Sequence, residues 1–112
     1  MRGEWIVHIC TREAWQAAQE RGEYRAASLE SEGFIHCSEP EQVLEVANRF
    51  YGGIPNLVLL WIQPELVQAE VRREVVENGE VFPHIYGPLN SNAISKVTDL
   101  IPDEHGIFQN IV

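Results

Sequence analysis

The amino-acid sequence predicts an α+β protein that forms a single domain over residues 1–112. A chain of 112 residues has the usual length of one domain with one hydrophobic core. Two segments in its first half have apolar residues at helical spacing, whereas the second half alternates apolar and polar residues between turns. Hydrophobic residues at 45% and charged residues at 22% are typical of globular proteins, not of disordered ones.

The chain is predicted to begin with a strand and a helix. Residues 5–10 (WIVHIC) are β-branched and aromatic, which favours a strand. Thr11 is suited to cap the helix that follows, and Gly22 is suited to end it. Residues 24–32 are polar, and we expect them to be irregular up to Gly33.

A second strand and helix precede an apolar run. Residues 34–37 (FIHC) predict a short strand, and Ser38 with Glu41 three residues later predicts a capping box for a second helix. Gly52-Gly53 is expected to end that helix. Residues 57–62 (LVLLWI) are apolar on both faces, which predicts a central strand covered on both sides.

The second half is predicted to be rich in strands. Residues 69–76 alternate in polarity, and Asn78-Gly79 is a strong hairpin signal before a return strand over residues 81–86. Residues 93–101 form a last extended segment, and residues 103–106 (DEHG) form a turn. Neither repeats nor an internal linker interrupt this pattern.

Charge and hydropathy exclude two classes of function. The 17 acidic residues outnumber the 8 basic ones, giving a net charge of −9, so a broad nucleic-acid-binding surface is improbable. The longest apolar run is far shorter than the ~18 residues of a membrane span. The N-terminus lacks a secretory apolar region, which leads us to expect a cytoplasmic protein in which Cys10 and Cys37 are reduced.

Three of the four histidines lie in predicted strands. Because side chains alternate along a strand, His8 shares a face with Cys10, His36 with Ser38, and His84 with Tyr86. If the strands adjoin, these histidines line one pocket with Ser38 and Tyr86 at its rim. The alternative interpretation is that each histidine is structural and hydrogen-bonded to the backbone.

Other site chemistries have weaker support. No pair of histidines or cysteines has the close spacing of zinc ligands, so no metal is expected. Ser38 beside a histidine could act in a hydrolytic triad, but a serine that caps a helix has its oxygen already engaged. Pro83 cannot donate a ladder hydrogen bond, which predicts that its strand is an edge strand or is broken there.

Two long motifs carry a family resemblance. Residues 33–38 (GFIHCS) and 82–89 (FPHIYGPL), together with His8, resemble the small bacterial domain-of-unknown-function family 952 over roughly residues 5–100. That family is grouped with the ADP-ribosyltransferases, which cleave the nicotinamide–ribose bond of NAD. The resemblance therefore implies an ADP-ribosylation-like fold with mixed, short-stranded sheets and two early helices.

The resemblance also implies roles for individual residues. His8 matches the first-strand position that holds the ribose or phosphate side of NAD. His36, with Ser38, matches the position that contacts the nicotinamide end. Glu74 is the nearest match to the late-strand glutamate that contacts the ribose and stabilises an oxocarbenium-like transition state.

His84 and Tyr86 are the alternatives to Glu74 if their strand lines the pocket. A two-residue hairpin at Asn78-Gly79 would pair Glu74 with Pro83 and turn it away from His84. Either the loop is longer or Glu74 lies outside the site.

Three functional hypotheses follow. The first is an enzyme that binds NAD or a related phosphoribosyl ligand and transfers or releases its ADP-ribosyl group. The second is a binding module with the same pocket for a nucleotide-like ligand but without turnover. The third is a small adaptor whose histidines are structural.

Overall fold

The computed structural model describes residues 5–111 and shows an α+β arrangement of three helices and eight strands in that part of the chain. The helices are α1 (Arg12–Arg21), α2 (Ala27–Ser31) and α3 (Val43–Phe50). The strands are β1 (Ile6–Thr11), β2 (Glu23–Tyr24), β3 (Ile35–His36), β4 (Leu57–Ile62), β5 (Glu70–Val75), β6 (Val81–Tyr86), β7 (Leu89–Asn90) and β8 (Ile94–Leu100). Short 3-10 turns lie at Pro64–Leu66 and Ser91–Ala93. None of the helices described is long and apolar enough to cross a membrane.

The apolar strand β4 is the centre of the first sheet, as its sequence predicted. The strand order is β1-β4-β8, and every residue of β4 is buried. Its side chains alternate between two hydrophobic clusters, with Val58 and Leu60 in one and Leu57 and Leu59 in the other. Coverage of both faces explains why the segment lacks polar positions.

A second three-stranded sheet has the order β3-β6-β5, and β2 pairs with β7 in a two-stranded sheet. Every strand pairing in residues 5–111 is antiparallel. The expectation of mixed sheets is therefore corrected: the strands are short and antiparallel. The expectation that β6 is an edge strand is also wrong, because β6 lies between β3 and β5.

Pro83 is accommodated in the central strand β6 by the shortness of β3. The carbonyl of Pro83 accepts a hydrogen bond from the amide of Cys37 at 3.0 Å, so the ring nitrogen faces the side of β3. There the chain leaves the sheet: Ser38 pairs with Val7 of β1 through two backbone hydrogen bonds of 2.8 Å. The segment from Ile35 to Ser38 thus joins the two larger sheets.

The predicted limits of α1 are confirmed, whereas the predicted start of the next long helix is wrong. Thr11 Oγ1 accepts from the amide of Ala14 at 3.1 Å, and Gly22 has a left-handed conformation with φ of 87°. The capping box at Ser38 does not form. Instead α3 begins at Val43, five residues beyond the predicted cap at Ser38.

The segment expected to be irregular contains a strand and a helix. Glu23–Tyr24 pairs with Leu89–Asn90, and Ala27–Ser31 forms the short helix α2. The N-cap of α2 is Ala26, which has no side-chain hydrogen-bonding group, so the usual helix signal is missing from the sequence.

The hairpin between β5 and β6 has a loop of three residues. The amide of Val76 donates to the carbonyl of Glu80 at 2.8 Å, and Gly79 has a φ of 88°. A left-handed glycine at the end of a three-residue loop is a common hairpin arrangement. The longer loop pairs Glu74 with Phe82 and so places Glu74 on the same face as His84.

Candidate functional site

Three strand histidines line one cleft of about 960 Å³, which lies where the two larger sheets meet. We call it the histidine cleft, and define it by six of its lining residues: His8, Phe34, His36, Ser38, Phe82 and His84. It is also lined by residues of α3 and of the β5–β6 hairpin loop. Glu74 and Tyr86 do not line it.

His8 is buried, and both of its ring nitrogens are engaged. Nδ1 donates to the backbone carbonyl of His36 at 2.5 Å, so neutral His8 accepts at Nε2 from the hydroxyl of Tyr24 at 2.8 Å. Burial lowers the pKa of His8 from 6.5 to about 4. The ring is therefore neutral near pH 7, and it fixes the position of the β3 backbone against β1.

Tyr24 continues this buried network towards a cysteine. Burial raises the pKa of Tyr24 well above its ordinary value, and the nearby thiol of Cys10 raises it further. Burial likewise raises the pKa of Cys10 to about 11 and raises that of Cys37. Both cysteines are free and buried. They are therefore protonated and poorly nucleophilic near pH 7.

His84 forms a carboxylate–histidine pair with Glu74. Nδ1 of His84 donates to Oε1 of Glu74 at 2.6 Å, and the hydroxyl of Tyr86 donates to the same oxygen at 2.6 Å. The bond from Tyr86, followed by the bond from His84, lowers the pKa of the Glu74 carboxyl. The bond to Glu74 in turn raises the pKa of Tyr86. Glu74 is therefore an ionised acceptor that orients both side chains.

Phe34 packs among the aromatic rings of this group. Its ring stacks on His84 with centroids 4.1 Å apart and an interplanar angle of 22°. It also meets His36 edge-on at 4.8 Å and lies 5.3 Å from Tyr86. These contacts restrict the rotation of the His84 ring. Phe34 is a site residue that the sequence placed beside His36 but did not single out.

His36 lies at the exposed side of the cleft. Its side chain is 54% exposed, and Nε2 lies 3.1 Å from Oε1 of Glu32. The His36 ring is 5.4 Å from that of His84. His36 therefore contributes its side chain to the opening of the cleft and its backbone carbonyl to the bond with His8.

Ser38 carries a hydroxyl that has no hydrogen-bond partner within residues 5–111. The interpretation that a helix cap engages its oxygen is wrong, because α3 begins at Val43 and Ser38 pairs through its backbone with Val7. Ser38 is only 5% exposed. Its hydroxyl oxygen is nevertheless not fully buried, because every fully buried side-chain oxygen or nitrogen described has a hydrogen-bond partner. The hydroxyl is therefore open to the solvent of the cleft.

The site residues predicted from the sequence divide into two groups. His8, His36, Ser38 and His84 line the cleft, whereas Glu74 and Tyr86 do not line it and contact residues that do. Tyr24, which also lines the cleft, was missed because its two-residue strand pairs with a distant segment. The described part of the chain contains no group of three or more potential ligands placed to hold a metal ion.

The fold and the site define a small α+β domain with a ligand-sized histidine cleft. The chain belongs to the family described as Protein of unknown function (DUF952), whose model matches residues 9–97. No curated protein matches this chain.

Solved structures of one bacterial protein are similar to this chain. The crystal structure of CC0527 from Caulobacter crescentus is 35% identical over 94% of this chain and 93% of that chain, with a TM-score of 0.86. The crystal structure of a double mutant of CC0527 gives the same values. The match to the solution NMR structure of CC0527 is also 35% identical and covers 94% of this chain and 91% of that chain, with a TM-score of 0.82.

Proposed function

We propose that the histidine cleft binds NAD or a related phosphoribosyl ligand, and that the protein transfers or releases the ADP-ribosyl group. The observation that carries this proposal is the arrangement of His8, His36 and His84, which come from two sheets and line one cleft. Its volume of about 960 Å³ is at the upper end of the range usual for small-molecule sites. The choice of ligand rests on the motif resemblance to family 952 and on the grouping of that family with the ADP-ribosyltransferases.

The side chains of the cleft suit an aromatic base attached to a ribose. Phe34 and Phe82 offer apolar ring surfaces against which a nicotinamide or adenine ring can pack. His36 and Ser38 offer polar groups to the nicotinamide end. In this proposal His8 acts as a positioning residue, because both its nitrogens are already engaged by protein groups.

The proposed reaction breaks the bond between C1′ of the ribose and the nicotinamide nitrogen. The electron pair leaves with the nicotinamide, and positive charge develops on the ribose. The chain has a net negative charge, but only the carboxylates that lie near the cleft can stabilise the positive charge on the ribose. We place this activity in the cytoplasm, where the free thiols of Cys10 and Cys37 would stay reduced.

A non-catalytic binding module for a nucleotide-like ligand is the second candidate. It is favoured by the charges at the cleft, since Arg49 is the one cationic lysine or arginine among the lining residues described, whereas Glu45, Glu77 and Glu80 are acidic. A pyrophosphate would thus gain little attraction from the cleft. A third candidate, the small adaptor with structural histidines, is favoured by the engaged ring of His8.

Ligand binding distinguishes the adaptor from the other two candidates. We expect NAD and ADP-ribose to raise the melting temperature of the protein, since a ligand at 100 times its Kd adds about 2.7 kcal/mol to the free energy of unfolding. Nicotinamide serves as the fragment probe. The absence of any shift with all three compounds would exclude both ligand-binding candidates.

Nicotinamide release distinguishes the enzyme from the binding module. We expect the protein to release nicotinamide from NAD, and the His36→Ala variant to release it more slowly, because His36 lines the cleft without being needed for core packing. His105→Ala is the matched control, since His105 lies in an exposed turn outside the cleft. Binding of NAD without any release, including with added acceptors, would leave the binding module as the function.

A further inference from the structure

We propose that His84 is the proton-accepting group of the histidine cleft and that Glu74, held by Tyr86, is its positioning residue. This inference rests on the proposed function for the identity of the substrate, but its structural part concerns the ring of His84 alone. The sequence resemblance implied instead that Glu74 itself contacts the ribose. The structure leads to a different role, because Glu74 does not line the cleft and His84 does.

The three-residue hairpin loop determines the geometry of the pair. His84 lies opposite Arg72 and Phe82 lies opposite Glu74, so the carboxylate and the imidazole are diagonal neighbours on one face of the sheet. The ionised carboxylate of Glu74 can only accept a hydrogen bond. The proton of a neutral His84 ring therefore resides on Nδ1, and the lone pair of that ring resides on Nε2.

Nε2 of His84 is open to the cleft. The residue is only 6% exposed, and Nε2 makes no hydrogen bond to residues 5–111. Every fully buried side-chain nitrogen or oxygen in that part of the chain has a partner, so Nε2 is reached by solvent. The other two cleft histidines differ, because His8 has both nitrogens engaged and His36 places Nε2 next to Glu32.

Neighbouring side chains hold the His84 ring in this orientation. Phe34 stacks on its face, and Tyr86 donates to the same carboxylate oxygen as His84 does. The guanidinium of Arg72 lies 4.3 Å from the centre of the Tyr86 ring. A carboxylate that orients a histidine through Nδ1 and leaves Nε2 free is a recurrent arrangement for proton transfer.

The charged and titratable groups near His84 come mainly from its own strand β6 and from the two strands beside it, β3 and β5. Strand β5 contributes Glu74 and Arg72, and Tyr86 comes from the same strand as His84. From β3 comes His36, whose own partner is Glu32. Glu74 is the group among these that hydrogen-bonds directly to the His84 ring.

The proposed step transfers one proton and exchanges one bond. A hydroxyl group, from water or from an alcohol acceptor, gives its proton to Nε2 of His84 while its oxygen forms a bond to C1′ of the ribose. The bond between C1′ and the nicotinamide nitrogen breaks, and its electron pair neutralises the cationic ring of the leaving nicotinamide. The imidazolium then returns the proton to solvent. The hydroxyl of Ser38, open to the same cleft, is available to hydrogen-bond the attacking group.

The tautomer of His84 tests the structural part of this proposal, and the test needs no ligand. Long-range ¹H–¹⁵N spectra of the imidazole nitrogens near neutral pH should show neutral His84 protonated at Nδ1. We expect Glu74→Ala to lose this tautomer and Glu74→Asp to retain part of it. Glu70→Ala is the matched control, because Glu70 lies on the same face of β5 and pairs with Arg72 instead of His84. A His84 ring protonated at Nε2, or one unchanged by Glu74→Ala, would overturn the proposal.

The rate of nicotinamide release from NAD tests the chemical part of the proposal. We expect His84→Gln to slow nicotinamide release by about 10²- to 10⁴-fold, the usual contribution of general acid–base catalysis, while its Kd for NAD changes little. Normal release by this variant, or NAD binding by the wild-type protein without any release, would overturn the role of His84 as proton acceptor. If the wild-type protein binds no NAD but His84 has the Nδ1–H tautomer, the proposed function fails and the Glu74-positioned base stands.

Discussion

The buried ring of His8 should make the protein lose stability in mild acid. In the folded protein, burial lowers the pKa of His8 from 6.5 to about 4, so the ring stays neutral there while the unfolded chain takes up a proton. Between these two pH values the unfolded state binds more protons than the folded state. Acid therefore favours unfolding, and the free energy of unfolding falls as the pH falls from 6.5 to about 4.

The size of the effect follows from the shift in pKa. A difference of one unit corresponds to about 1.4 kcal/mol, so the full change contributes about 3 kcal/mol. From pH 7 to pH 5 the expected loss is about 2 kcal/mol. Carboxylates with lowered pKa values, such as that of Glu74, lose their contribution only below the ordinary carboxyl range of about 4. Over the interval from pH 7 to pH 5, the contribution of His8 is therefore the difference between the wild-type protein and a variant that lacks its imidazole.

Urea denaturation of wild-type protein and of His8→Asn at pH 7, 6 and 5 measures this contribution. The asparagine amide can still donate to the carbonyl of His36 but does not titrate. The variant will be less stable at pH 7, because it leaves the hydroxyl of Tyr24 without its partner. We expect the pH dependence of the variant to be flatter by about 2 kcal/mol over this interval. Equal slopes for the two proteins would refute the assignment of a buried neutral His8.

Three further predictions concern the surrounding fold. Asn48→Ala should lower the free energy of unfolding by about 1–3 kcal/mol, because the Asn48 amide donates to the carbonyl of buried Phe108 and accepts from its amide; a urea midpoint unchanged from wild type would contradict this. Gly87→Ala should cost about 1–3 kcal/mol, because its new Cβ would lie 2.8 Å from Cβ of Ala69, whereas Gly52→Ala, with its nearest contact at 3.6 Å, is the matched control in the same assay. Cys10 and Cys37 should react with iodoacetamide at pH 8 more than about tenfold more slowly in native than in denatured protein, because burial keeps them as thiols; equal rates would show that they are accessible.

Local sequence signals predicted the elements that local interactions specify. Thr11 and Gly22 bound α1 through contacts within a few residues, and the apolar run of β4 reports burial on both faces. The start of α3 was missed because Ser38 pairs with Val7, which is 31 residues away and invisible to a local cap pattern. Similarly, β2 and β7 are two-residue strands whose pairing joins distant parts of the chain.

The sequence could predict the candidate site only where the alternation of side chains along a strand determines which residues share a face. Alternation placed His84 and Tyr86 on one face, and the structure has them share an oxygen of Glu74. Whether Glu74 joins them depends on the length of the hairpin loop, and Asn78-Gly79 is compatible with two or three loop residues. The engagement of both nitrogens of His8 depends on Tyr24, which no sequence pattern connected to it.

A titration of ¹⁵N-labelled protein with ADP-ribose, followed by the backbone amide spectrum, tests most directly whether the histidine cleft is a ligand site. The account predicts that the largest chemical-shift changes fall on residues 34–38 and on Phe82 and His84, which line or adjoin the cleft. Trp61, which is buried in one cluster with Leu57 and Leu59 and does not line the cleft, should keep its amide shift. An unchanged spectrum, or changes centred on Trp61, would contradict the account.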